Sequence, residues 1–155
     1  MTTTRQVTMT DEEIDEFLGR RQTAVIALAY FDYPYAIPIT YRYDPDTRTF
    51  YFRLVYPAGS EKRQFLPTLP EARLLVYEED DPVYRSVIVI GRPREITESD
   101  LTDEHLVQFG ETSRPLFEMW KAPKTELDIR LYELEPDEFT GRRIDTSSKR
   151  RRGGQ

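Results

Sequence analysis

Residues 35–62 read YAIPITYRYDPDTRTFYFRLVYPAGSEK, and this stretch decides the fold. From Tyr35 to Tyr43 the chain alternates, with Tyr35, Ile37, Ile39, Tyr41 and Tyr43 on one face. A period of two is the mark of a half-buried strand. Asp44-Pro45-Asp46-Thr47 supplies turn residues, and Thr49–Val55 resumes as a β-branched and aromatic run, so the two strands form a hairpin. Pro38 has no amide to give a ladder and predicts an edge, a bulge or a ligand-facing gap in the first of them. Gly59-Ser60-Glu61-Lys62 then puts a cation beside a Gly-Ser turn, just ahead of a predicted short helix. Backbone N–H groups at such a start, together with the lysine, suit a phosphate.

Outward from this stretch, more elements follow. Thr10-Asp11-Glu12-Glu13 is a capping box, and Ile14, Phe17 and Leu18 share a face, predicting a helix over 11–18 closed by Gly19. TAVIALAYF from Thr23 is a buried strand. Ala72–Tyr77 is another, and Glu78–Asp81 is an acidic, solvated turn. Tyr84–Ile96 is a long strand in which Gly91 and Pro93 predict a bend or bulge. Ser99 is expected to cap a helix reaching Phe109, with Leu101, Leu106 and Phe109 inward. Arg114–Trp120 is a possible further helical turn, and Glu126–Leu134 alternates as a sixth strand. The expected fold is mainly β with short helices: a six-stranded antiparallel barrel in meander order. One domain over 1–145 is expected, with a disordered basic tail over 146–155.

Composition narrows the chemistry. The chain has 155 residues, no cysteine and one histidine, His105. Thiolate catalysis, disulfides and cysteine-bound metals are excluded, and a His-rich metal site cannot be built in one chain. The formal net charge of −6 disfavours nucleic acid as a partner. No apolar run approaches the roughly 20 residues of a membrane span, and no secretory pattern opens the chain. A soluble cytoplasmic protein that contacts neither nucleic acid nor membrane is expected.

The ordered set P-Y-A-I-P-I-T-Y (34–41), F-Y-F-R (50–53), G-S-E-K (59–62) and Y-R-S-V-I-V-I-G-R (84–92) resembles the FMN-binding split-barrel proteins. These are the pyridoxamine 5′-phosphate oxidase-like superfamily, and within it the likeness is to the subgroup of nitroimidazole-resistance proteins. The resemblance implies a split barrel and a homodimer with FMN at the subunit interface. It implies that Ile37, Pro38, Ile39, Thr40 and Tyr41 line the flavin ring, and that Arg53, Ser60, Lys62 and Arg63 serve its phosphate. Arg85, Ser86 and Val87 would come from the partner side. Trp120 reads either as a hydrophobic anchor or as a lid over the partner's flavin.

Function follows from that resemblance: an FMN-dependent oxidoreductase acting on a small molecule, with NADH or NADPH as a possible donor. A flavin carries the redox chemistry, so a chain without a protein nucleophile suffices. The alternatives are a flavin-binding or sensing module without turnover, or the same barrel holding haem or a deazaflavin. Arg53, charged in mid-strand, needs a partner, a ligand or open solvent. His105 reads as a structural histidine on a helix flank, with haem ligation as its functional rival.

Overall fold

The computed structural model describes residues 5–30, 33–57, 70–110 and 127–146. Seven strands are β1 (Arg5–Thr8), β2 (Thr23–Tyr30), β3 (Tyr33–Asp44), β4 (Thr49–Pro57), β5 (Ala72–Asp80), β6 (Val83–Ile96) and β7 (Leu127–Asp145). The helices are α1 (Asp11–Arg20) and α2 (Asp103–Gly110), with a 3-10 turn at Glu98–Asp100. The strands run in the order β1-β7-β4-β3-β2-β5-β6, and β7 also pairs with β6, which closes the sheet into a barrel. All pairings are antiparallel.

The expected mainly β, antiparallel split barrel is found, with one strand more than six and without simple meander order. The added strand is β1, whose sequence RQVT has a single apolar residue and finds its place only by pairing with the end of β7. β7 itself runs to Asp145 rather than Leu134. Pro136 and Gly141 look like breakers in sequence, yet Pro136 stands opposite Gly91 beside a bulge in β7: Ile90 faces Glu138, which leaves Asp137 as the extra residue. The irregularity expected at Gly91 is present in the register, but its extra residue belongs to β7, beside the tolerated proline.

Alternation fills the barrel. Ile39, Tyr41 and Tyr43, Phe50, Phe52 and Leu54, Leu74 and Val76, Val87 and Val89, and Tyr132 and Leu134 are all buried in one cluster. Each large side chain removed from water there contributes about 1.5–3 kcal/mol. α1 covers one end with Ile14, Phe17 and Leu18. Two tyrosines fasten it: the Tyr41 hydroxyl donates to the Leu18 carbonyl at 2.8 Å, and that of Tyr43 donates to Asp15 at 2.6 Å. Gly141 lets the helix sit close, because a Cβ there would lie 2.8 Å from Ile14 Cγ1 and 3.0 Å from Met9 Cβ.

Helix ends differ in detail from expectation. Thr10 and Glu13 form the predicted capping box. Gly19, however, lies within α1; the chain leaves the helix at Arg21, whose extended backbone N–H donates to Phe17 O. α2 is capped by Thr102 rather than Ser99, which lies in the 3-10 turn. Thr102 Oγ1 accepts from the His105 N–H, and His105 Nδ1 accepts from the Thr102 N–H. This is a capping box with histidine in the usual place of glutamate. Leu106 is 59% exposed, so the inward face of α2 is carried by Phe109, with Leu101 just before the helix.

Candidate functional site

The barrel is split between β3 and β4. Their ladder spans only Tyr41–Asp44 against Phe52–Thr49, while β3 remains paired to β2 along Tyr33–Thr40. The Tyr41 amide donates to the Gln22 carbonyl. Ladder bonds alternate along an antiparallel strand, so the amides of Ile39 and Ile37 turn toward β2, and positions 38 and 40 turn toward the gap. Pro38 therefore stands where an amide would have had no partner in β4. Of the three readings of Pro38, the edge at a gap is what the register supports.

Side chains along this edge divide sharply. Ile39 and Tyr41 are 3% exposed and point into the core, and Ile37 packs against it. These three offer a ligand only their backbone. Pro38 and Thr40 point outward. Pro38 is exposed, whereas Thr40 is buried and its hydroxyl has no hydrogen-bond partner. Burial of the Tyr41 phenol raises its pKa well above the ordinary value, so it stays neutral and serves as a donor to α1.

The outer face beside Pro38 is apolar. Ile88, Leu75, Val25 and Pro38 form one row across β6, β5, β2 and β3. Leu75 and Ile88 are among the exposed large hydrophobic residues, as is Tyr77. Two hollows lie on this face. The larger, about 590 Å³, is lined by residues 27–29 and 34–36 together with Glu71 and Arg73. The smaller, about 130 Å³, lies between Arg21, Val25, Pro38, Leu75 and Tyr77.

The remaining expected site residues fall in three places. Arg53 has found a partner: its Nη2 donates to the Phe109 carbonyl at 2.8 Å, at the end of α2. Nearby, Tyr51, Ile96 and Phe109 form a second apolar cluster with Leu101 and Leu131. Arg85, Ser86 and Val87 lie in mid-β6. Val87 is fully buried in the core, Arg85 reaches Glu78 at 3.2 Å, and Ser86 stands opposite Tyr77 and Arg142. Ser60, Lys62, Arg63 and Trp120 lie outside the described residues, as do the short helix predicted from Gly59, the turn expected over Arg114–Trp120 and the tail beyond Thr146.

Glu78 was expected in a solvated turn and belongs instead to β5. Its carboxylate gathers three guanidinium groups: Arg20 at 2.6 Å, Arg85 at 3.2 Å and Arg21 at 3.5 Å. The hydrogen bond from Arg20, opposed by desolvation and aided by the charge of all three arginines, holds its pKa below the usual carboxylate range. This cluster escapes a local reading because Arg20 and Arg21 lie more than fifty residues from the hairpin that carries Glu78 and Arg85.

His105 is engaged at both nitrogens. Nδ1 accepts the Thr102 amide, so Nε2 carries the proton and faces Glu133 Oε2 at 3.3 Å; Glu133 is also held by Arg94. The structural reading of this residue is supported, and neither nitrogen is left for haem iron. Among the described residues, no group of three His, Asp or Glu side chains is placed to hold a metal, and no helix is long and apolar enough to cross a membrane.

A family model described as pyridoxamine 5′-phosphate oxidase matches residues 10–143. A search of curated proteins finds no match. Among solved structures, an FAD-binding protein from Mesorhizobium loti aligns with a TM-score of 0.69 at 19% identity, over 92% of this chain and 99% of that one. The FAD binding protein from Mycobacterium smegmatis aligns with a TM-score of 0.63 at 20% identity, over 88% and 98%. A protein named for 5-nitroimidazole antibiotic resistance, from Bacteroides thetaiotaomicron, gives 0.61 at 11% identity, over 92% and 89%. At these identities the likeness is one of fold.

Proposed function

The chain belongs to the pyridoxamine 5′-phosphate oxidase family, and from that membership we propose that it is an FMN-binding oxidoreductase acting on a small molecule between two copies of itself. The observation that carries this reading is the buried Thr40 hydroxyl, left without a partner beside exposed Pro38 at the split. A buried hydroxyl without a hydrogen bond costs about 1–3 kcal/mol. A planar ring with carbonyl and N–H groups along one edge would satisfy it while laying its body against Pro38. When bound, the flavin supplies the two-electron chemistry.

The chain's own residues bind and orient that group. Pro38 and Thr40 present side chains, and Ile37, Ile39 and Tyr41 present backbone. Ser60, Lys62 and Arg63 hold the phosphate, with Arg53 helping through donors that its bond to Phe109 leaves over. Arg85, Ser86 and the backbone of Val87 approach from the second copy, and Trp120 covers the ring. The second copy meets this outer face at Ile88 of β6, one of its exposed large hydrophobic residues. Two of the similar structures are named for FAD rather than FMN, so the flavin must be identified chemically.

The test is the absorbance of the purified protein and the mass of its released chromophore. Twin flavin bands, FMN on release and a solution mass of two chains are expected. A colourless protein that ignores added FMN and FAD would overturn the reading, and a Soret band would replace it with haem. Bleaching of the bound flavin by NADH, NADPH or a substrate separates an oxidoreductase from a flavin module without turnover. Thr40→Val sharpens the site: the flavin-free protein should gain stability, by up to the same 1–3 kcal/mol, while losing flavin affinity. A variant that binds flavin as tightly as the parent removes Thr40 from the site.

A further inference from the structure

We propose that Arg21 and the small hollow beside Pro38 form a subsite for a carboxylate carried on a flat apolar body. As a substrate subsite it rests on the flavin reading above, because Pro38 is shared with the ring. As a binding site it stands on its own geometry.

Three guanidinium groups meet at Glu78, and that carboxylate is closest to the other two arginines. Arg20 takes both of its oxygens, at 2.6 and 3.3 Å, and Arg85 takes one at 3.2 Å. Glu16 offsets part of the charge on Arg20, at 3.4 Å. Arg21 is left with a 3.5 Å approach to Glu78 and a 3.2 Å hydrogen bond from Nη2 to the uncharged Tyr77 carbonyl. Its Nε is buried without a partner. A guanidinium has five donors, and this one spends few of them. It shares Glu78 with two closer arginines, so it holds the weakest claim of the three on that carboxylate.

That cation forms one wall of the 130 Å³ hollow, whose remaining walls are Thr23, Ala24, Val25, Pro38, Leu75 and Tyr77. The hollow has room for about one aromatic ring. Val25, Leu75 and Pro38 suit the faces of such a ring, and Tyr77, 52% exposed, can stack on it. A planar fork of N–H donors matches a carboxylate better than it matches any uncharged group. Charge at one end and apolar walls at the other specify the class of ligand.

Benzoate is the probe, titrated calorimetrically into the full chain alongside benzamide, its uncharged isostere, and inorganic phosphate. Benzoate should bind at least about tenfold tighter than benzamide. Arg21→Gln should weaken benzoate by about tenfold, while Arg5→Gln, a loss of one charge on β1, should leave it unchanged. Tyr77→Ala removes an exposed wall without touching the core, and it carries the test if Arg21→Gln fails to fold; it too should weaken benzoate. Equal binding of benzoate and benzamide, a preference for phosphate, or indifference to Tyr77→Ala overturns the subsite. Flavin absorbance read in parallel separates the two proposals. Benzoate bound by a protein that refuses flavin keeps the subsite and removes the flavin, and flavin bound with no response to benzoate does the reverse.

Discussion

β6 and β7 are paired at every position from Val83 to Ile96, whereas β3 and β4 share only the rungs from Tyr41 to Asp44. The two seams belong to one barrel and do opposite work. Along the sealed seam every residue of β6 has a partner, and the one irregularity is a bulge at Asp137 of β7, next to Pro136. Along the open seam a proline and a threonine turn toward a gap, and the adjoining outer face carries exposed apolar rows. A ladder that satisfies all its groups has nothing left for a ligand. On the proposed reading, binding falls to the second seam.

Four substitutions test that division. Leu134→Ala, on the sealed side and fully buried, should cost about 2–5 kcal/mol in urea denaturation. A smaller loss would mean that β7 is less essential than its pairing implies. Gly141→Ala should cost about 1–3 kcal/mol, because its methyl would press on Ile14 and Met9 and lift α1. Thermal melts that coincide with the parent would show that α1 can shift freely.

Glu78→Gln concerns the join between α1 and the sealed side, and its effect depends on pH. The folded carboxylate has a lowered pKa, so its contribution is present above the ordinary carboxylate range and is lost as pH falls through the lowered value. The variant should therefore be less stable than the parent at neutral pH, and the gap should close in acid. Urea midpoints at both pH values check this; a constant gap would mean that the charge is not what matters. Pro38→Ala, at the open seam, should change stability by at most about 1 kcal/mol, since no ladder bond is at stake. It should nevertheless weaken flavin binding, and a large loss of stability would show that the seam is not open.

The local elements were legible because their signals are local. The Thr10–Glu13 cap, the alternation from Tyr35 to Tyr43 and the irregularity at Gly91 each depend on neighbours in sequence. Pro38 was legible only as an edge, a bulge or a gap, and the register chooses among them; alternation put Ile37, Ile39 and Tyr41 on one face, and only the closed barrel shows that this face is the core. β1 was invisible because RQVT is a strand only where β7 offers it an edge. The partner of Arg53 was hidden for the same reason, as the Phe109 carbonyl lies fifty-six residues away. So was the cluster at Glu78, whose arginines come from α1, the residue after it and β6.

Arg5 is paired with Asp145, so the outer ends of β1 and β7 leave the barrel side by side. A short loop can join them, and new termini can be cut in the Asp44–Thr49 turn without removing a rung. The order of the strands along the chain is then separable from their order in space. A circularly permuted protein would carry both of its ends beside the closed part of the β3–β4 seam, where a reporter could be attached within reach of the split.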